Sequence, residues 1–172
     1  MSLRRGCWVF IAIGILLFLC VGVSAAKADE VKGKAETLFK EAVSLYEDGN
    51  LDKAFNVINE ALKADSANPD IHDMAGYIMM DKGLLDGALK EFNSALVLNP
   101  RERTSRTGIG WVLFKKGDMK GAEEALVEAL ILNPYPSMTH YVLGLVYEQQ
   151  GDYEKAVAHF KEGIKKYRSG KR

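Results

Sequence analysis

From residue 35 onward, apolar residues recur at steps of three and four. Examples are the runs His140-Tyr-Val-Leu-Gly-Leu-Val-Tyr147 and Ala156-Val-Ala-His-Phe160. That spacing places them on one face of an α-helix. The helical stretches come in pairs with a short polar turn between them, and the pair itself repeats. Gly49, Gly83, Gly117 and Gly151 stand 34 residues apart, and Ala54, Ala88, Ala122 and Ala156 keep the same step. One helix-turn-helix unit therefore occurs four times, over residues 35–68, 69–102, 103–136 and 137–170. Such a unit buries its apolar face only by stacking on its neighbours.

Each turn glycine is placed to adopt the left-handed backbone that closes a helix. Asn50, Asp118 or Asp152 follows it and is expected to cap the next helix. Asn99-Pro100 and Asn133-Pro134 are expected to end second helices, since proline cannot continue one; Asn68-Pro69 falls three residues late in this register. Ala42, Gly76, Gly110 and Gly144 share one position in the first helix of each unit. Ile58, Phe92, Leu126 and Phe160 share another in the second, followed by Ala61, Ala95, Ala129 and Gly163. Side chains this small let helix axes approach to about 8–9 Å.

The pattern resembles the tetratricopeptide repeat. The fourth unit carries that motif as Leu143, Gly144, Tyr147, Gly151, Tyr153, Ala156 and Phe160. The second carries Gly76, Gly83, Leu85, Ala88, Phe92, Ala95 and Pro100, and the third Gly110, Gly117, Ala122, Ala129 and Pro134. The first keeps Gly49, Leu51, Ala54 and Ala61 but has Glu41-Ala42 where Leu-Gly is usual. The leading aromatic of the motif is replaced by Leu38, His72, Arg106 and His140. Arg106 is expected to reach solvent along its apolar stem. The resemblance implies an all-α, right-handed solenoid whose first helices line a concave groove for a peptide. It assigns Phe39, Val43, Tyr46, Asp73, Tyr77, Met80, Thr107, Trp111, Phe114, Tyr141, Leu145 and Glu148 to that groove. Of these, Phe39, Tyr46, Tyr77, Met80, Trp111, Phe114, Tyr141 and Leu145 form a large apolar and aromatic set, the types favoured at interfaces. The expected partner is an apolar or aromatic segment of another protein. Family members that clamp a terminal carboxylate use polar and basic groove residues, whereas this groove has Phe39, Val43 and Asp73, which disfavours that ligand class.

The first thirty residues depart from the periodic pattern. Arg4-Arg5 precedes an uncharged run over 6–26, followed by Ala26-Lys27-Ala28 and Asp29-Glu30. This order reads as a secretory signal cut after Ala28. Its competitor is a retained anchor, since 21 helical residues span roughly 30 Å. In either case the repeats are exported, to the periplasm or to the periplasmic side of an inner membrane. Cleavage as a lipoprotein at Cys20 is disfavoured by bulky Leu19, and Arg4-Arg5 lacks the flanks of a twin-arginine signal. Residues 29–34 read as a linker and 169–172 as a basic tail.

Charge changes little. The chain has 23 basic and 23 acidic residues; removal of Arg4, Arg5 and Lys27 would leave 20 against 23. Nothing there points to nucleic acid. Both cysteines, Cys7 and Cys20, precede the repeats. No phosphate loop, metal-ligand spacing or nucleophile motif occurs, so no catalysis, cofactor or metal is expected. His72 and His140, one repeat apart, read as architectural, and His159 beside Lys161 as solvated. Asp73 and Asp81 are not read as a catalytic pair. No polar capping helix follows the fourth unit, so Val157, Ile164 and Tyr167 are expected to stay open, as a second contact surface or an edge for self-association. The functional readings are an exported adaptor, an anchored assembly factor for a secretion, pilus or cytochrome-maturation machine, and an auxiliary domain serving a partner enzyme.

Overall fold

The computed structural model describes residues 30–132 and 136–170. The leader or anchor expected over 1–28 lies outside the described residues, as do Asn133-Pro134 and residues 171–172. Eight helices and no strand occur among the described residues: α1 (30–47), α2 (Leu51–Ala64), α3 (Pro69–Asp81), α4 (Leu85–Leu98), α5 (Arg103–Lys115), α6 (Met119–Leu132), α7 (Ser137–Gln150) and α8 (Tyr153–Gly170). Helix α1 begins within the segment read as a linker, and α8 runs on to Gly170 in the segment read as a tail.

From α2 on, each helix packs on the next in sequence, and α5 also touches α3 and α7; Ala35 and Ala42 of α1 share a core cluster with Ala54 of α2. The even helices from α2 to α8 do not touch one another. The odd helices therefore sit together on the inner side while the even ones splay outward, which curves the stack into a solenoid.

The four turn glycines have φ of 76°, 76°, 84° and 81°. At each, the glycine N–H and the next residue's N–H return to carbonyls of the preceding turn, as in Gly49 N–H to Tyr46 O at 2.9 Å and Asn50 N–H to Leu45 O at 2.8 Å. This double return closes the helix within two residues. Asp118 and Asp152 then accept from the N–H groups of Gly121 and Lys155 at 2.9 and 3.1 Å. Asn50, exposed to water, makes no such bond. Asn68 caps α3 by accepting from Asp70 N–H at 3.0 Å, with Pro69 at the first helical position. The late Asn-Pro thus starts a helix, because proline's missing N–H has no partner to lose there.

The small-residue positions have a visible cause. A Cβ added at Gly76 would lie 2.6 Å from the Phe92 ring, one at Gly110 2.4 Å from Leu126, and one at Gly144 2.3 Å from Phe160. Phe92 is met from the other side by Gly108 of α5, where an added Cβ would lie 2.4 Å away. The ring is held between glycines of adjacent units and is fully buried.

The two ends of the stack differ. Where α3, α5 and α7 turn Ile71, Ser105 and Thr139, then Ala75, Ile109 and Leu143, then Ile78, Val112 and Val146 toward the preceding unit, α1 has Thr37, Glu41 and Ser44. It also has Lys40 at the place of Met74, Gly108 and Val142. All four α1 residues are exposed. The last helix, α8, instead leaves Val157, Ile164 and Tyr167 open to water, as expected.

Candidate functional site: the inner groove

The inner face is tied together by bonds between successive first helices. Tyr46 donates to Asp81 Oδ2 at 2.6 Å, joining α1 to α3. Asp73 accepts from Thr104 and Ser105 at 2.8 and 2.6 Å, and Tyr77 donates to Thr104 O at 3.0 Å, joining α3 to α5. Thr107 and Thr139 share a buried hydroxyl bond of 2.8 Å between α5 and α7. Asp73 and Asp81 thus serve different helix pairs. Burial pushes the Asp73 carboxyl up to about 6, although its two hydroxyl donors pull the other way. Burial also raises the phenols of Tyr46 and Tyr77, which remain protonated donors at neutral pH.

These bonds leave the predicted groove residues at different depths. Met80 is 1% exposed and packs with Ala88, Phe92 and Val112. It belongs to the core between the second and third units and not to the groove wall. Thr107 is buried as well. Phe39, Tyr46, Tyr77, Trp111, Phe114 and Leu145 are half-buried, and all but Leu145 pack against a core cluster. Tyr77 meets Phe92 edge-on at 5.0 Å. Trp111 packs against both the second and third core clusters and so spans a unit boundary. Tyr141 alone of the set is 47% exposed. It leans on Phe160 at 5.9 Å.

At the far end the groove opens into a cleft of about 580 Å³ between α7 and α8, lined by Met138, Tyr141, Leu145, Phe160, Ile164 and Tyr167 among others. The inner wall and the open edge, distinct in the sequence reading, meet in this cleft. Sequence reasoning missed this continuity, and also missed Gly108 and the Thr107–Thr139 bond. The 34-residue step from Met74 to Gly108 to Val142 held a signal for the glycine, since one column turns from large to absent opposite a phenylalanine.

The histidines and Arg106 tie neighbouring helices and loops together. His72 bonds Glu91 Oε2 through Nδ1 at 2.6 Å and Ser66 O through Nε2 at 3.1 Å. His140 and His159 share a bond between their Nδ1 atoms at 3.0 Å, and His159 stacks on Tyr147. His159 is thus half-buried and engaged, not solvated, because the turn between α7 and α8 folds it back onto the first helix. Arg106, half-buried, donates to the carbonyls of Pro100 and Glu102 at 2.9 and 3.3 Å, closing the loop between α4 and α5. Exposed ion pairs link successive units, Lys82 with Asp52 and Lys116 with Asp86. At the third junction Glu123 takes over, accepting from Tyr147 at 2.7 Å and Gln150 at 3.3 Å. No group of three or more His, Cys, Asp and Glu side chains suited to a metal occurs among the described residues.

The solved structures similar to this chain share the fold. One is MamA from Desulfovibrio magneticus RS-1, with TM-score 0.66 and 20% identity over 78% of this chain and 76% of that one. Another is pilF of Pseudomonas aeruginosa, with TM-score 0.69 and 22% identity over 83% of this chain and 64% of that one. A third is a thermophilic tetratricopeptide-repeat protein of Thermus thermophilus, with TM-score 0.70 and 24% identity over 76% of this chain and 73% of that one. No curated protein matches the chain. Two family models, both described as tetratricopeptide repeat, match residues 74–138 and 137–169. Together they span 74–169, more than half of the 172 residues, and leave out the first unit, where the motif is weakest. With its glycine-closed helix pairs and its small-residue faces, the chain belongs to the tetratricopeptide-repeat family.

Proposed function

We propose that this protein is a non-enzymatic adaptor of the bacterial cell envelope, whose inner groove binds an apolar or aromatic segment of another protein. Tetratricopeptide repeats are protein-binding scaffolds. The observation that carries the finer reading is the row Tyr77, Trp111, Phe114 and Tyr141. Each ring is braced by the core or a neighbouring helix and keeps part of its surface exposed. Rigid, half-sunk aromatics lose little side-chain entropy on binding, which makes them good anchors. The affinity expected for one such segment is about micromolar, roughly −8 kcal/mol.

The chain has two tryptophans, and Trp111 is the one within the repeats. Titration with apolar helical and extended peptides, followed by the emission of Trp111 in a Trp8→Phe background, is expected to give saturable blue shifts. Trp111→Ala combined with Tyr77→Ala is expected to weaken capture at least tenfold when read by polarisation of a labelled peptide. Unchanged affinity in that variant removes the groove as the binding surface.

Export rests on the basic, apolar and small-residue order of residues 1–28. A second reading, an adaptor retained in the inner membrane to assist assembly of a larger machine, is favoured by the length of the uncharged run over 6–26. Mass spectrometry of the protein recovered from the envelope separates the two: a chain beginning at Asp29 supports the cleaved form, and an intact N-terminus supports the anchor.

A further inference from the structure

Helix α8 carries Tyr153, Val157, Phe160, Ile164 and Tyr167 at alternating steps of four and three. That spacing forms a seam for another helix lying alongside. In earlier units the same row is covered. Leu51, Phe55, Ile58 and Leu62 on α2 and Leu85, Leu89, Phe92 and Leu96 on α4 are partly or fully buried, with α3 and α5 packed on those helices. On α8, Tyr153, Val157, Ile164 and Tyr167 are 68%, 49%, 55% and 55% exposed.

Charge on α8 selects the occupant. Glu154 stands two and three repeats after Asp86 and Asp52, the acids that receive Lys116 and Lys82 from the next unit, with Lys120 at the place between. A helix arriving antiparallel on α8 therefore meets an acid at this point. Lys155 beside it is held by Asp152 at 2.9 Å, and the other basic residues of α8 lie at its midpoint and toward its other end, with Arg168 in the last turn. A second copy of α8, laid antiparallel, brings Arg168 to Glu154, and the two-fold axis repeats the pair. The apolar row also reads alike in both directions: tyrosine, aliphatic, phenylalanine, aliphatic, tyrosine. Lys161, beside the midpoint, meets its own symmetry mate, and its long stem lets the ammonium turn to water. The other end of the solenoid does not fit this seam. It presents Thr37, Lys40, Glu41 and Ser44, and Asp48 stands where Lys82 and Lys116 stand in later units. Asp48 would repel Glu154.

We propose that two copies of this chain form an isologous dimer through α8, antiparallel, with Glu154 of each copy facing Arg168 of the other. The contact does not depend on peptide binding in the groove, so Trp111→Ala is expected to leave it intact.

Disulfide trapping in the full-length protein tests the register, with Cys7 and Cys20 first replaced by serine. Glu154→Cys and Arg168→Cys proteins carrying different tags are mixed and mildly oxidised. The two sites lie about 21 Å apart along one helix. The expected product is the mixed 154–168 disulfide, with little of either homodimer. Predominant 154–154 and 168–168 products, preferential capture of Lys40→Cys by Glu154→Cys, or equal yields from every pair would each overturn the proposal. Equal yields are the mark of association through residues 6–26. Sedimentation of the charge variants gives an independent reading. Glu154→Arg and Arg168→Glu are each expected to weaken the dimer about tenfold, since each breaks two symmetric pairs. The double exchange is expected to restore it to within about twofold. Both sites are exposed, so helical content is unchanged, and failure of the double exchange to restore association refutes the pairing.

Discussion

Phe92 and Phe160 occupy the same place in their units but not the same surroundings. Phe92 is clamped by Gly76 and Gly108, whereas Phe160 rests on Gly144 and has an open side. Gly76→Ala or Gly108→Ala is expected to cost about 2 kcal/mol. The ring cannot retreat from either methyl, and overpacking outweighs alanine's gain of about 1 kcal/mol in helix propensity. Gly144→Ala is expected to cost under about 1 kcal/mol, because Phe160 can swing outward. Urea midpoints of the three variants check this order, and an equal loss at all three would contradict it.

Asp73 gives a second prediction at the same scale. Its carboxyl titrates near 6 in the folded chain, above its unfolded value of about 3.8, so the folded state binds the extra proton. Its contribution to stability is full below about pH 4 and is lost as pH rises through 6. Asp73→Asn keeps the shape, removes the buried charge, and is expected to stabilise the fold at pH 7 by on the order of 1–2 kcal/mol. Thermal melts at pH 7 and pH 4.5 read the effect as a smaller difference between the two pH values in the variant.

At the scale of the element, the α7–α8 pair responds to acid in the opposite sense. Burial lowers the affinity of both His140 and His159 for protons. His159 and Lys166 lower that of His140 further, against Glu162, and Glu123 partly offsets the effect at His159. Groups with depressed folded values stabilise above the unfolded value and lose that stabilisation as pH falls below about 6.5. Double protonation also removes the acceptor in the 3.0 Å bond between the rings. Amide exchange in α7 and α8 is expected to quicken between pH 7 and 5.5 after correction for the intrinsic rate, and His159→Gln to remove most of that change. The helices, the glycine-closed turns and the small-residue faces were legible from sequence, because local chemistry fixes them and the 34-residue period repeats the message. Contacts between different helices were harder to read. Met80 reads as a wall residue by its place in the motif, yet its neighbours Ala88, Phe92 and Val112 lie on other helices. His140 and His159 are 19 residues apart, and no spacing rule announces their bond. The polar row on α1 was available in the same columns that revealed the glycines. It emerges when the four units are compared for what differs, not for what recurs.

At the scale of the whole molecule, each interior unit is held on both sides, so stability is shared between the units and the junctions that join them. The junctions do not use one device: exposed lysine–aspartate pairs bind the first two, and Glu123 with Tyr147 and Gln150 binds the third. Exposed pairs of the first kind contribute little individually, so the buried faces carry most of the cohesion. Four units give a short inner wall, and a dimer through α8 would place two such walls either side of one dyad. A client carrying two matching segments would then be held at both, with avidity beyond either site alone. Helix α1 limits how far such assembly goes. The polar row Thr37, Lys40, Glu41 and Ser44 offers the apolar row of α8 no matching seam, so stacking of α8 on α1 of another copy has little apolar surface to drive it.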